Sequence, residues 1–133
     1  MNTDTINKPE TEMIKRCYGL ALLFMFFASP AIAGEADVLQ VKVSESGDRT
    51  YNFAVTVEHP DTGWEHYADR WEILDQDGVI METRILYHPH VNEQPFTRSL
   101  SGIEIPAGNK KVTVRAHDSV HEYGGRVVTA DLP

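Results

Sequence analysis

Apolar and polar side chains alternate at every second position along much of this chain. The pattern is clearest over residues 50–58, where Tyr51, Phe53, Val55 and Val57 alternate with Asn52, Ala54 and Thr56. That is the period of a half-buried β-strand. Shorter runs of the same kind predict strands over 37–43, 69–75, 79–87, 96–105, 111–117 and 126–132. Trp71 and Ile73 share one face of the third, and Val112, Val114 and Ala116 point inward from the sixth. Turn residues separate the runs: Ser44-Glu45-Ser46-Gly47-Asp48, the hairpin signal Gln76-Asp77-Gly78, and Pro106-Ala107-Gly108-Asn109. The fifth strand is expected to be interrupted near Ser101-Gly102, and Gly124-Gly125 to turn the backbone before the last strand.

Seven short strands at this spacing, with no long helical periodicity and no repeat, predict an all-β fold: an immunoglobulin-like or fibronectin-like antiparallel β-sandwich. Its sheets would pack over Phe53, Val55, Trp71, Ile73, Leu100, Val112 and Val114. A barrel closed from the same strands is the alternative.

The first 33 residues carry a different signal. Lys15 and Arg16 precede an apolar run from Cys17 to Ala28, Pro30 breaks it, and Ala31-Ile32-Ala33 follows with small residues at the two positions a signal peptidase reads. This predicts a secretory signal over 1–33 with cleavage after Ala33. Residues 1–12 are polar and stand outside the signal, which leaves Met13 as a candidate start. The mature chain, 34–133, is then one β-sandwich domain in a periplasmic or secreted setting, with no membrane span of its own.

The formal net charge is −8, and the first 33 residues carry equal numbers of acids and bases, so the mature domain keeps this excess. An acidic surface repels phosphates and excludes nucleic acid as a partner. The single cysteine, Cys17, lies in the signal. The mature domain therefore has no disulfide, and a metal bound to it would be held by histidine, carboxylate, methionine or backbone oxygen.

All six histidines fall in or at the edge of three of the connections between strands. His59 and His66 lie between the second and third strands, His88 and His90 between the fourth and fifth, and His117 and His121 flank the loop before the seventh. With strands running alternately up and down, these loops gather at one pole, while the other pole receives only polar turns. Trp64, Tyr67 and Tyr123 belong to the same pole, as do Asp61, Asp69 and Asp118. Neutral imidazoles with a carboxylate suit copper, iron or zinc. His59, His66, His121 and Asp118 are the leading candidate ligands of one transition-metal ion, with His88, His90 and His117 as further candidates. His88-Pro89-His90 places two imidazoles on one side of an extended segment. Polar residues over 92–100 offer side chains that could orient ligands, against a plain loop role in which Arg98 pairs with an exposed acid. A pole of exposed aromatics also suits contact with a protein or small ligand through Trp64, Tyr67 and Tyr123, a metal-free binding or adaptor role.

The run His59-Pro60-Asp61-Thr62-Gly63-Trp64-Glu65-His66-Tyr67, followed by Trp71-Glu72-Ile73-Leu74, resembles a segment of desulfoferrodoxin-type superoxide reductases that supplies two iron-ligating histidines. The stretch from Val112 to His121 is similar to that family's strand bearing an axial cysteine and an equatorial histidine. The resemblance implies an immunoglobulin-like sandwich with iron at one pole, His59, His66 and His121 as equatorial ligands, and activity on superoxide. Asp118 stands where the family has its cysteine, and no histidine precedes the first strand, which leaves His88 or His90 to take that place. Asp118 and His121 also resemble the aspartate–histidine copper site of exported copper-handling sandwiches. No phosphate loop, dinucleotide fingerprint or zinc-protease motif is present, and Ser119 beside Asp118 and His121 does not by sequence adjacency make a triad.

Overall fold

The alternating run at 50–58 forms the strand it predicts. Tyr51, Phe53, Val55 and Val57 are all buried, while the residues between them are partly exposed. A computed structural model describes residues 34–133; the predicted signal over 1–33 lies outside the described residues. Seven strands follow in order: β1 (Asp37–Gly47), β2 (Thr50–Glu58), β3 (Ala68–Leu74), β4 (Ile80–Ile85), β5 (Phe96–Glu104), β6 (Lys111–Asp118) and β7 (Val128–Asp131). They make two antiparallel sheets, β1-β2-β5 and β4-β3-β6-β7. The fold is a β-sandwich; each sheet keeps its own edge strands, so the closed-barrel alternative is set aside. β4 stays beside β3, so the chain changes sheets through residues 86–95, the segment that carries His88 and His90.

Between the sheets lie Val38, Phe53, Val55, Val57, Trp71, Ile73, Phe96, Val112 and Val114, each no more than 2% exposed. Leu100, expected in this core, is only partly buried against it. The cause is local. Phe53 pairs with Leu100 but Tyr51 pairs with Ile103, so β5 carries an extra residue at the expected interruption. Gly102 takes φ 69° there, a left-handed conformation that glycine adopts without penalty, and its amide donates to Asn52. The break near Ser101-Gly102 is thus a bulge within a continuous strand.

The first strand runs further than its sequence predicts. Ser44, Glu45 and Gly47, read as turn residues, pair with Asn52, Tyr51 and Thr50, and the reversal falls at Asp48-Arg49. β1 is an edge strand, and its exposed positions accept polar residues that resemble loop chemistry.

Two inward rows position the site. On β2 the buried row Tyr51, Phe53, Val55, Val57 continues beyond the strand to His59. On β6 the buried row Val112, Val114, Ala116 continues to Asp118. Side chains that recur every second residue point to one face. The pleat that builds the core therefore ends, on both sheets, in a polar residue under cover.

Candidate metal centre

His59 is 1% exposed and Asp118 is fully buried. The chain leaving β2 folds back on itself, with the Asp61 amide donating to the His59 carbonyl and the Thr62 amide to the His66 carbonyl. This return brings His66 Nε2 to 3.2 Å from His59 Nε2 and 3.2 Å from Asp118 Oδ1. On the other side, Asp118 Oδ1 accepts the amides of Val120 and His121 at 2.9 and 2.7 Å. The tight loop that results holds His121 Nδ1 at 3.3 Å from the same oxygen. The His66 and His121 rings are 4.9 Å apart, centre to centre. Gly34 closes the group from the chain entering β1: its carbonyl oxygen lies 2.9 Å from His59 Nε2. One ligand atom from each of His59, His66 and Asp118 lies within 4.8 Å of the other two.

Asp61 fixes the orientation of His59. Its Oδ1 faces His59 Nδ1 at 2.5 Å and accepts the Ala68 amide at 3.0 Å, while its Oδ2 accepts the His90 amide at 2.7 Å. An ionised carboxylate only accepts hydrogen bonds. His59 Nδ1 therefore carries a proton, and the lone pair of the neutral ring sits on Nε2. Gln94 adds a second restraint, accepting the His59 amide and donating to the His90 carbonyl.

This assignment leaves an electrostatic conflict. His59 Nε2 faces the Gly34 carbonyl, His66 Nε2 and, across the His66 ring nitrogen, a buried carboxylate. Asp118 Oδ2 is buried with no hydrogen-bond partner among the described residues. The lone pairs of His59 Nε2 and the Gly34 carbonyl face each other beside a buried carboxylate. A proton on His66 Nε2 can serve His59 or Asp118, but between His59 and the Gly34 carbonyl only a proton on His59 or a cation relieves the repulsion. Burial disfavours a charged His59, yet the Asp61 carboxylate, the Gly34 carbonyl and the Asp118 charge together raise its pKa above the ordinary value. Burial likewise opposes ionisation of Asp61 and Asp118. The bonds from His59, His90 and Ala68 to Asp61, and from His121 and Val120 to Asp118, outweigh it and lower both carboxyl pKa values.

These directions give a pH dependence for the metal-free protein. The raised His59 pKa contributes stability that is complete below about 6.5 and is lost as pH rises through the folded-state value. The depressed Asp61 and Asp118 pKa values contribute stability present above about 3.8 and lost as pH falls through theirs. Urea unfolding of chelator-treated protein should accordingly show its highest stability between about pH 4 and 6.5, with a decline on both sides. A flat profile from pH 5 to 9 would contradict the His59–Asp61 assignment.

The remaining candidates lie elsewhere. His90 is buried, stacked on Phe96 with ring centres 3.9 Å apart, and its Nε2 is 2.9 Å from Arg98 Nη2. His88 packs beside it at 4.5 Å, forming a second histidine pair. Burial first, then the Arg98 and His88 charges, lowers the His90 pKa. His90 thus touches the group above through its backbone, its amide on Asp61 and its carbonyl on Gln94. His117 alternates with Asp118 on β6 and projects from the opposite face, where its Nδ1 meets Asp69 at 2.6 Å. Tyr123 joins that outer face, its hydroxyl donating to Glu72 and Arg115 lying 3.9 Å over its ring. Trp64 is 67% exposed and meets Tyr67 edge-on at 5.7 Å. Arg98 does pair with the exposed acid Glu93, at 3.3 Å. Sequence reasoning placed Asp61 at the pole and Gln94 in the segment 92–100 whose polar side chains could orient ligands, but gave neither a partner, and it did not single out Gly34. Asp61 had a signal, an acid two residues beyond a histidine that ends an inward row.

Against known proteins, no family model matches the chain, and no solved structure does. It is 41% identical over 97 residues to a protein of Halomicrobium mukohataei named as a candidate lipoprotein. The match takes in 73% of this chain and 47% of the relative, so the chain spans about half the length of the curated relative it matches. Among the described residues no helix is long and apolar enough to cross a membrane.

Proposed function

We propose that this chain is an exported β-sandwich that holds one transition-metal ion, copper, iron or zinc, between His59, His66, His121 and Asp118. The observation that carries the reading is the convergence of lone pairs around His59 Nε2, with Nδ1 already committed to Asp61. Metal–ligand bonds of 2.0–2.1 Å place neighbouring ligand atoms about 2.9–3.4 Å apart in octahedral or tetrahedral geometry. The contacts of 3.2 Å from His66 Nε2 to His59 and to Asp118 fall in that range. A carboxylate behind a ligating imidazole, as Asp61 stands behind His59, fixes the tautomer and raises ligand basicity. Export rests on the apolar run 17–28 with its Ala31-Ile32-Ala33 ending, and on the relative's description.

Carried onto this geometry, the superoxide-reductase resemblance sets the same three histidines around iron, with Asp118 in the cysteine's place. A carboxylate donates less electron density to iron than a thiolate does. Metal binding, with a redox role open to copper or iron, is therefore the proposed function, and superoxide consumption by iron-loaded protein is a separate assay.

The test is reconstitution of untagged, chelator-stripped protein with copper, zinc and iron in turn. One ion per chain is expected, and at a free concentration a thousandfold above Kd it should add about 4 kcal/mol of apparent stability. His59→Ala and His66→Ala should abolish that gain. A content far below one ion per chain for all three metals, with no rise in melting temperature, would remove the proposal. The aromatic pole supports a second reading, contact with a protein or small ligand through the exposed Trp64. Trp64→Ala is expected to retain metal in full, and loss of partner capture in that variant alone would favour the second reading.

A further inference from the structure

We infer that cleavage after Ala33 turns Gly34 into a ligand: its freed α-amino nitrogen and its carbonyl oxygen close a five-membered chelate ring on the ion held by His59, His66 and Asp118. The inference rests on the metal-binding reading above and adds a donor that side chains alone do not supply.

Three observations meet at Gly34. Its carbonyl oxygen lies 2.9 Å from His59 Nε2, among the converging lone pairs. The residue is buried, although it stands at the start of the described chain. A Cβ at this position would fall 2.2 Å from His121 Cε1, 2.6 Å from Nε2 and 2.8 Å from Nδ1, closer than real contacts allow. The Gly34 Cα therefore rests against the His121 imidazole, and a larger residue would displace either the ring or the chain. The sequence independently marks the bond before Gly34 for signal-peptidase cleavage through Ala31-Ile32-Ala33. The cleavage motif and the packing against His121 select the same residue for unrelated reasons.

Covalent geometry does the rest. The α-nitrogen lies no more than about 3.6 Å from the carbonyl oxygen of its own residue. In the precursor that nitrogen is a planar amide whose lone pair is delocalised into the carbonyl, so it is a poor ligand at neutral pH. Hydrolysis adds one water across the Ala33–Gly34 bond, leaving a carboxyl group on Ala33 and a primary amine on Gly34. Once its proton is released, the amine has a localised lone pair beside the carbonyl oxygen. Amine and imidazole nitrogens with oxygen donors form the set that divalent copper takes in tetragonal geometry. Processing then sets the affinity. The precursor holds the ion weakly, and tight binding begins only when the leader is removed.

The experiment compares the exported, processed protein with a chain that starts three residues earlier, at Ala31, and so keeps residue 34 as an amide. All seven strands and the core lie within both. Mass spectrometry first identifies the processed N-terminus, expected at Gly34. Copper(II) is the probe, measured by competition with a chelator of known affinity. The processed protein should bind at least 100-fold more tightly than the extended chain. Labelling only glycine with ¹⁵N should alter the nitrogen superhyperfine pattern of the copper spectrum in the processed protein and not in the extended one. A different processed N-terminus, or equal affinities with no response to ¹⁵N-glycine, would overturn the Gly34 assignment while leaving the histidine site standing. Absence of copper binding by both forms would overturn the Gly34 chelate, and absence of zinc and iron binding as well would overturn the two readings together.

Discussion

Replacing Asp61 by asparagine is expected to cost about 2–4 kcal/mol of stability, a fall of roughly 10–20 °C in melting temperature for a domain of this size, although the two side chains are nearly the same shape. The reason is a count of acceptors. Oδ1 serves both His59 Nδ1 and the Ala68 amide, and Oδ2 serves the His90 amide. Asparagine has one acceptor oxygen. With that oxygen toward Ala68, its amino group opposes the His90 N–H; turned the other way, it opposes the Ala68 N–H. Either orientation leaves a buried donor facing a donor, and no water-exposed alternative exists because Asp61 is only 6% exposed. The same substitution releases the orientation of His59 and should lower metal affinity by about 10–100-fold. Thermal unfolding and metal competition on the one variant test both halves. A variant as stable as the parent would show that Asp61 does not hold the three donors together.

The contrast between Asp61 and the surface acids also shows what the sequence could and could not convey. The strands were legible where one face is buried: Phe53, Val55, Val57, Trp71, Ile73, Val112 and Val114 all lie where the alternation predicts. Alternation fails at β1 beyond Val43, because an edge strand can carry Ser, Glu and Gly without leaving the ladder. The gathering of His59, His66, His121 and Asp118 was legible only through topology, as loops on the same side of alternating strands. His117 shows the limit of that argument. It is adjacent in sequence to Asp118 yet sits on the other face, since neighbouring side chains on a strand point apart. His90 reaches the same pole but packs on Phe96 and Arg98, with His88 beside it, because the segment 86–95 is held there by Asp61 and Gln94 through backbone groups. Side chains that bond to backbone leave no periodic trace. The partners of Asp61 and Gln94 therefore emerged only from the coordinates.

Asparagine at position 118 is expected to behave in the opposite way. Without metal, Asp118→Asn should stay within about 1 kcal/mol of the parent, because its remaining oxygen still accepts the Val120 and His121 amides. Its new amino group takes the place of Oδ2, an atom that makes no hydrogen bond among the described residues. Removing a buried charge also removes the cost of desolvating it, which offsets the lost attraction to His59 and His121. With metal the balance reverses. Asp118 supplies the one anionic ligand of the group, and neutralising it should reduce affinity by more than the roughly 10–100-fold that follows loss of an outer partner. The stabilisation that metal confers on the parent should then vanish at the same free concentration. The two aspartates thus separate fold from site: substitution at 61 lowers stability with or without metal, and substitution at 118 lowers it only when metal is present. If Asp118→Asn binds metal as tightly as the parent, the ion is held elsewhere. If it destabilises the metal-free protein as much as Asp61→Asn does, the buried carboxylate is a structural group and its unpartnered oxygen has another cause.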